Sequence, residues 1–410
     1  MRSLGTVGRV PRRALRRRLI AAGASAVALV AAGCAEDAPQ DTWQPKGDNA
    51  QRIHGLQWPV FAIAGVVLVI VMAAIIWAVF RYRDRGQPIP KQTHGRPALE
   101  IGLTILPALI LIGVAIPTVG TLLALSETDD TECVVNVTGQ QWWWEMDYPV
   151  QEGCGGVERP IITSGQMVIP VGTNVLVRGT SRDVIHSWWI PPLNGKRDMV
   201  PGRVHTVRLQ ADEPGIFAGQ CTEFCGLSHA NMRMEVVALT ADDFETWKAN
   251  QLADYEAPAA ETAQAQGETV FVQQCARCHQ IDGLLNADGT PNISEPQLHV
   301  YSGSAPNLTN LMTRNTFAGA TYDLVTENCR DEVWEASPEE FGARYLEGVT
   351  AACLNEVELR EWIRNAPEKK PMYADPEELE ETDAKTRGMP YLALSEEQID
   401  QLIAYLLERK

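Results

Sequence analysis

Two long apolar stretches constrain this chain more than any other feature of its sequence. Trp58–Phe80 carries no charged residue, and Ala98–Leu125 carries only Glu100, near its start. A bilayer span needs roughly 20 apolar residues, so each stretch is long enough to cross a membrane as a helix. The segment between them is basic and contains Arg81, Arg83, Arg85, Lys91 and Arg96. Because positive residues favour the cytoplasmic side, we expect a transmembrane hairpin over 58–125, with the chain after about Ser126 on the outer face.

The first 33 residues have the pattern of a secretory signal peptide. A cluster of arginines precedes the apolar run Leu19–Val30, and three small residues come directly before Cys34. A basic segment, a short apolar segment and small residues are typical of such signals. The end resembles a bacterial lipobox, in which the cysteine takes a lipid, although Ala31 stands where Leu is usual. Plain cleavage beside an unmodified Cys34 is the alternative, and residues 34–57 are expected to form an exported segment.

Charge is distributed unevenly along the chain. The net charge is −17, yet residues 1–130 hold 14 basic and 9 acidic side chains, whereas residues 131–410 hold 21 and 43. A nucleic-acid-binding protein needs a basic footprint, so this class is excluded. The acidic part either steers a basic partner at low salt or keeps an exported domain soluble.

The part after the hairpin divides into two predicted domains. Residues 126–250 alternate apolar and polar positions in short runs separated by Gly and Pro, a spacing typical of an all-β sandwich or barrel. The predicted strands include Cys133–Val137, Met167–Ile169, Asn174–Val177, Thr206–Leu209 and Met234–Leu239. Residues 251–267 are rich in Ala, Glu and Gln and predict a linker. Residues 268–410 predict an all-α domain with helices at Glu268–Gln274, Pro338–Leu346, Glu356–Asn365 and Ser395–Glu408. The last of these begins with Ser395 and Gln398 at the spacing of a capping box.

The helical part contains the covalent haem attachment pattern C-x-x-C-H, formed by Cys275, Cys278 and His279. This spacing lets both thiols reach the porphyrin vinyl groups while the imidazole binds the iron from one side. A second axial ligand is needed, and a Met thioether raises the potential into the electron-carrier range.

Three methionines are candidates for that axial ligand: Met312, Met372 and Met389. Met389 lies in Gly-Met-Pro-Tyr-Leu just before the last helix and resembles the ligand loop of small cytochromes c. We therefore favour Met389, with Met372 as the competitor. The segment Ala305–Leu308 resembles the one whose proline carbonyl holds the other nitrogen of the haem histidine, which would fix the imidazole tautomer.

The all-β part contains a second cluster of soft donor residues in one short loop: Cys221, Cys225, His229 and Met232. Two thiolates, an imidazole and a thioether suit copper in a redox role. Two cysteines four apart can bridge two copper ions, which then requires a second imidazole, and His186 is the natural supplier. A structural disulfide between the two cysteines is the alternative interpretation.

Four cysteines remain after these assignments. Cys329 and Cys353 are candidates for a disulfide within the helical domain, since an exported domain lies in an oxidising compartment. Cys133 and Cys154 either form a disulfide that staples the β domain or are free, and we favour the disulfide.

Taken together, these motifs resemble subunit II of a haem–copper cytochrome c oxidase, in the variant with a fused C-terminal cytochrome c domain. The resemblance implies a cupredoxin-like fold for 126–250 and a cytochrome c fold for 268–410. It also implies a binuclear CuA copper centre. The side-chain ligands would be His186, Cys221, Cys225, His229 and Met232, and Glu223 would supply a backbone carbonyl to copper and a side chain to Mg²⁺ at the boundary with subunit I.

Two further roles are implied by the resemblance. Trp142 matches the electron entry point of the family's aromatic segment, whereas Trp143 and Trp144 fit a packing role better. Glu100 matches a carboxylate at the mouth of a proton channel into subunit I. Because Glu100 lies close to the membrane boundary, a solvated carboxylate with no such role is the alternative.

The function implied is electron transfer in a bacterial plasma membrane. A cytochrome c or bc-type complex would supply electrons, and the chain would relay them through its own haem c and CuA to subunit I, beside subunit III, where oxygen is reduced with proton pumping. This chain alone would not reduce oxygen. A quinol oxidase subunit normally lacks the copper ligands, a copper-delivery protein would not need haem, and a nitrous oxide reductase would lack the hairpin.

Overall fold

The computed structural model describes residues 38–86, 88, 94–129, 131–283, 304–373 and 388–410, together with Gly23 and Ser25. The predicted signal peptide over 1–33 therefore lies almost entirely outside the described residues, and so does Cys34. Elements are numbered below in chain order.

Two long helices form the predicted hairpin, α1 (Asp48–Arg81) and α2 (Pro97–Leu125). Both are long and apolar enough to cross a membrane, and their apolar side chains are exposed. Water would disfavour so large an apolar surface, whereas the hydrocarbon of a bilayer accepts it. The two helices are the transmembrane hairpin of the fold.

Helix α1 begins before the predicted Trp58, inside the stretch that was expected to be a separate exported segment. Its first turn is polar and bonds to the β domain: Asn49 Nδ2 donates to the carbonyl of Arg208 at 2.9 Å, and the Arg208 guanidinium lies 3.0 Å from Asp48. Hydropathy marks only the part of a helix that lies in lipid. The polar first turn lies outside the apolar span, so the helix begins before Trp58.

The β domain contains two main sheets. The larger has the strand order β3-β2-β1-β5-β8, the smaller has the order β4-β10-β9, and β6 pairs with β7. Most pairs are antiparallel, but β1 with β5 and β4 with β10 are parallel. The strands are β1 (Cys133–Gln140), β2 (Trp143–Tyr148), β3 (Ile161–Ser164), β4 (Gln166–Pro170), β5 (Val175–Ser181), β6 (His186–Trp188), β7 (Arg197–Met199), β8 (His205–Leu209), β9 (Gly215–Gln220) and β10 (Arg233–Leu239).

The core of the β domain lies between these sheets, because alternate side chains of each strand point inward. Val135, Val137, Met146 and Val177 are fully buried there, together with Trp144. A disulfide joins Cys133 to Cys154 at the edge of this core.

The helical domain follows α3 (Ala241–Gln251), which packs Trp247 against Tyr148 of the β domain. Its helices are α4 (Ala263–Gln274), α5 (Glu327–Trp334), α6 (Pro338–Leu346), α7 (Glu356–Arg364), α8 (Ala366–Lys369) and α9 (Glu396–Leu406). A two-residue strand pair, β11 (Thr316–Phe317) with β12 (Tyr322–Asp323), is the exception to its all-α character. A disulfide joins Cys329 to Cys353.

Helices α4 and α9 cross closely at Gly267. A Cβ atom at this position would lie 1.9 Å from the backbone oxygen of Gln401, so only glycine permits the contact. Helix α9 begins with the predicted capping box, in which the Ser395 hydroxyl and the Gln398 side chain each bond to the other's backbone N–H.

The predicted linker over 251–267 is partly structured. Helix α4 begins at Ala263 because the Thr262 hydroxyl accepts a bond from Ala265 N–H and caps it. Tyr255 packs against the helical core, and the Arg409 guanidinium lies 4.7 Å from the centre of its ring. Composition indicated a flexible tether, but one aromatic residue anchors this segment to the domain that follows.

The β domain and the helical domain are packed directly together. Phe341 and Tyr345 of α6 belong to the same buried cluster as the β-domain core. Polar contacts accompany this packing: Gln140 Nε2 donates to Ser304 O at 2.8 Å, and Arg314 Nη1 donates to Ser164 Oγ at 2.9 Å. The two domains therefore share one apolar interface rather than being held only by the chain between them.

Candidate functional site

Two thiols lie side by side at one end of the smaller sheet. Strand β9 ends at Gln220, and the loop Cys221–Met232 folds back so that the Sγ atoms of Cys221 and Cys225 are 3.9 Å apart. This separation is far beyond the about 2.05 Å of a bonded pair, so they form no disulfide. Gly226, at φ +114°, permits the turn that follows the second thiol.

Three further side chains converge on this sulfur pair. His186 Nδ1 lies 3.9 Å from the Sγ of Cys221, and His229 Nδ1 lies 3.6 Å from the Sγ of Cys225. Met232 Sδ lies 3.9 Å from the Sγ of Cys225. All five predicted donor side chains are therefore brought together, and all but the half-buried His229 are buried.

The backbone carbonyl of Glu223 also faces the pair, because the Cys221 thiol lies 3.3 Å from it. The Glu223 side chain is exposed, as are those of Phe224 and Leu227 beside it. The loop therefore turns its donor atoms inward and presents a partly apolar outer surface.

Asp183 orients the first imidazole. Its Oδ1 lies 2.9 Å from His186 Nε2, while its Oδ2 accepts a bond from Gln141 N–H at 2.8 Å. The carboxylate accepts a hydrogen bond from the Nε2–H group. The lone pair of Nδ1 therefore faces the sulfurs, where it can bind a metal. The ring has little room to move, because the indole of Trp144 packs edge-on against it at 5.6 Å.

The electrostatics of the pair favour a bound cation. The hydrogen bond between the two sulfurs lowers the pKa of Cys221 and raises that of Cys225, because two thiolates so close repel each other. Burial alone would lower the pKa of His186, but its hydrogen bonds to Asp183 and Cys221 raise it overall. A metal cation removes the repulsion between the thiolates, and this set of soft sulfur and imidazole donors fits copper.

A second site lies at the end of α4 in the helical domain. The chain turns after Cys275, whose carbonyl accepts bonds from Cys278 N–H at 3.0 Å and His279 N–H at 2.9 Å. His279 Nδ1 donates to the carbonyl of Pro306 at 2.8 Å, which leaves Nε2 for a metal. The contact predicted for Ala305–Leu308 is thus present.

Buried donors in the segment that follows Pro306 also suit a haem. Within the described part of the chain, Asn307 Nδ2, Arg314 Nε and Asn315 Nδ2 are buried without a hydrogen-bond partner. Such donors are costly unless an acceptor reaches them, and a haem carries two propionate carboxylates. Burial also lowers the pKa of Arg314 to about 10.

The three candidate axial methionines lie in different surroundings. Met312 is fully buried in the helical core, with its backbone bonded to Arg409 and Val349. Met372 and Met389 lie together, because the Met389 N–H donates to Met372 Sδ at 3.0 Å. Gly388 makes this approach possible, since a Cβ there would lie 2.3 Å from the same sulfur.

Trp142 contacts both the thiol loop and the helical domain. Its Nε1 donates to the carbonyl of Cys225 at 3.1 Å, and its ring centre is 5.4 Å from that of Tyr373 in the helical domain. Trp144 instead packs in the β-domain core against Trp188. The remaining predicted residue, Glu100, is exposed in the first turn of α2, far along the chain from either site.

Three family models match successive parts of the chain. Residues 40–120 match cytochrome c oxidase subunit II, transmembrane domain; residues 133–239 match its periplasmic domain; and residues 264–331 match cytochrome c. The cytochrome c oxidase subunit 2 of Alkalihalophilus pseudofirmus is 33% identical over 94% of this chain and 95% of that protein. The chain belongs to the cytochrome c oxidase subunit II family.

Two other members of the family are similar to this chain. The subunit 2 of Bacillus sp. (strain PS3) is 30% identical over 94% of this chain and 95% of that protein. That of Cereibacter sphaeroides is 33% identical over 48% of this chain and 75% of that protein. The chain is therefore a subunit II with a fused cytochrome c domain, a component of the oxygen-reducing oxidase complex, and its domains imply a haem and a CuA-type copper.

Sequence reasoning missed several residues that build these sites. Asp183 lies three residues before His186 and could have been predicted as a carboxylate that orients a candidate ligand. Gln141 gave no such signal, nor did Lys370 and Tyr373, because each acts through contacts between segments distant in sequence.

Proposed function

We propose that this subunit passes electrons from a cytochrome c or bc-type donor to the oxygen-reducing subunit I, with haem and copper as the electron-carrying groups of its two packed domains. One observation carries the proposal: Trp142 contacts both the thiol loop, through the Cys225 carbonyl, and Tyr373 of the cytochrome c domain. The thiol loop and the cytochrome c domain are thus in contact inside one chain, which suits electron transfer between the two domains.

The copper centre we propose is binuclear. Cys221 and Cys225 would bridge the two ions, with His186 and His229 as one imidazole for each. Met232 and the Glu223 carbonyl would complete the set. Two coppers that share one electron in a fixed ligand frame reorganise little on reduction, and Asp183 and Trp144 restrain His186 in that frame.

The haem we propose is covalent haem c. Cys275 and Cys278 would form the thioether links, and His279 would bind iron through Nε2, since Pro306 holds Nδ1. Met389 is the preferred second axial ligand. The sulfur of Met372 accepts a hydrogen bond from the Met389 N–H. Met389 takes part in this contact through its backbone and not through its sulfur.

The remaining assignments concern the complex and the membrane. We propose that Glu223 binds Mg²⁺ against subunit I, that Glu100 lies at a proton-channel mouth of the complex with subunits I and III, and that Trp142 is the electron entry residue of the copper centre. The chain would lie in a bacterial plasma membrane with both large domains on the outer face, and Cys34 would carry lipid after removal of 1–33.

The test uses the full chain, matured with haem, loaded with copper and purified in detergent. Electron paramagnetic resonance should detect one unpaired electron shared by two coppers, and this signal should vanish in Cys221→Ser. The double variant Cys329→Ser with Cys353→Ser, which removes a disulfide outside the site and leaves neither partner as a thiol, is the control and should keep the signal. A disulfide or an empty loop in the copper-loaded wild type would refute the proposal.

The haem assignment has its own comparison. Met389→Ala should abolish the optical band of the thioether–iron bond, whereas Met372→Ala should retain it. The reverse pattern would make Met372 the ligand.

A further inference from the structure

A short segment of the cytochrome c domain, Lys370–Tyr373, covers the thiol loop. Lys370 is only 3% exposed, and its Nζ donates to the carbonyl of Trp142 at 2.9 Å and to that of Ala318 at 2.6 Å. A buried ammonium is costly to desolvate, and its hydrogen bonds to these two carbonyls offset part of that cost. Lys370 thus bonds to the backbone of both domains at once, Trp142 in the β domain and Ala318 in the cytochrome c domain.

Two neighbours of Lys370 continue this contact. The Ser228 hydroxyl, in the thiol loop, donates to the carbonyl of Pro371. Tyr373 places its ring 5.4 Å from that of Trp142, at an angle of 42°. The indole is left 3% exposed, so the side chain that contacts the Cys225 carbonyl is closed to solvent.

A second segment of the cytochrome c domain, which contains Gly319 and Thr321, also contacts the β domain near Trp142. Gly319, at φ +75°, accepts a bond from Arg233 N–H at 2.9 Å, and a Cβ there would lie 2.6 Å from the carbonyl of Trp142. Thr321 Oγ1 donates to the carbonyl of Asn231 at 2.6 Å. Glycine is therefore needed for the backbone of one domain to approach the other so closely.

We propose that Lys370 is a positioning residue that seats the cytochrome c domain over Trp142, so that outside donors reach the copper centre only by way of that domain. The inference rests on the proposed function. The ring of Tyr373 packs against the indole of Trp142. Lys370 bonds to the backbone carbonyls of Trp142 and Ala318, one in each domain. A soluble donor would thus meet the cytochrome c domain and not the Trp142 face.

The first measurement needs no copper. In the haem-loaded full chain, hydroxyl-radical labelling of Trp142 is compared for wild type, Lys370→Met and Tyr373→Leu. Methionine keeps the length of lysine but donates no hydrogen bond. Loss of a hydrogen bond shifts such an equilibrium about twofold to tenfold, so labelling of Trp142 should rise severalfold in Lys370→Met. Tyr373→Leu removes the ring that packs against the indole, so labelling of Trp142 should rise in this variant as well.

Lys369→Met is the matched control for Lys370→Met. Lys369 precedes Lys370 directly, but its Nζ pairs with Glu358 at 2.8 Å and Glu361 at 2.6 Å, inside the cytochrome c domain. Labelling of Trp142 should stay at the wild-type level in this variant. Equal labelling in wild type, Lys370→Met and Tyr373→Leu would overturn the proposal, and so would an equal rise in Lys369→Met.

The second measurement follows electron entry with a soluble reduced cytochrome c as the probe. One electron leaves the ferrous donor, which becomes ferric, and the copper pair gains that electron. In wild type, copper reduction should always follow reduction of the chain's own haem. In Lys370→Met, a direct phase that scales with donor concentration should appear.

The two measurements fail separately. Absence of the shared-copper signal refutes the proposed function but leaves the labelling result intact, because labelling needs only the folded chain. Direct copper reduction in wild type, with the copper signal present, overturns the seating role alone.

Discussion

Glu235 is a carboxyl group buried where the two outer domains meet, and it makes stability depend on pH. It lies in β10, 8% exposed, and accepts a bond from Gln166 Nε2 at 2.8 Å. Tyr345 of the cytochrome c domain donates to the other end of the Gln166 amide at 2.8 Å. Burial, with a smaller contribution from Asp323, raises the pKa of Glu235 from 4.5 to about 7.

The magnitude and sign follow from this shift. Below pH 4.5 the carboxyl is protonated in both states and changes nothing. Between pH 4.5 and about 7 the unfolded chain releases the proton while the folded chain keeps it, so stability falls as pH rises. One pKa unit corresponds to about 1.4 kcal/mol, so the full loss above pH 7 is about 3 kcal/mol.

Glu235→Gln tests this reasoning, because glutamine resembles the protonated acid and cannot ionise. Urea unfolding of the full chain in detergent, followed by tryptophan fluorescence, should give equal stabilities for wild type and variant at about pH 4. At about pH 8 the variant should be more stable by about 3 kcal/mol.

Glu245→Gln removes an exposed carboxylate that pairs with Lys248, and it serves as the control for a change in net charge. The difference between this control and the wild type should not vary with pH in the same way. If Glu235→Gln is no more stable than wild type at the higher pH, Glu235 is not held neutral by burial and the reasoning is wrong.

Two further predictions concern the β domain. Cys133→Ser should lower the free energy of unfolding by about 3 kcal/mol, because the Cys133–Cys154 disulfide closes a loop with a separation of 21 residues; an unchanged urea midpoint would contradict this. Asp183→Asn should weaken copper binding about 10- to 100-fold, because an amide cannot accept from both His186 and Gln141 N–H as the carboxylate does. Chelator competition measures this, and wild-type affinity would refute it.

Much of the architecture could be predicted from the chain itself. Apolar length gave the hairpin, alternation gave the main strands of the β domain, and Ser395 with Gln398 marked the start of the last helix. The C-x-x-C-H and two-cysteine motifs also predicted sets of donor residues, because each set combines spacing within one short segment with one or two distant partners.

Local patterns failed where a boundary depended on contacts between segments distant in sequence. Helix α1 extends past its apolar span because Arg208 bonds to its first turn. The predicted linker is anchored because Tyr255 finds Arg409, near the C-terminus. Neither contact leaves a periodic signal, since each joins one residue to one remote partner.

The sequence by itself determined which groups this protein can bind, because thiols, imidazoles and thioethers at fixed spacings already define a ligand set. Only the tertiary structure decided how the two sites are related. Nothing in the sequence distinguishes Lys370 and Tyr373 from other residues of a helical domain. In the folded chain, Lys370 bonds to the carbonyl of Trp142 and Tyr373 packs against its ring. The physical reason is that a ligand set depends on residue types at short spacings, which the sequence shows directly. The packing of one domain on another depends on burial and hydrogen bonds between surfaces that meet only in the folded chain.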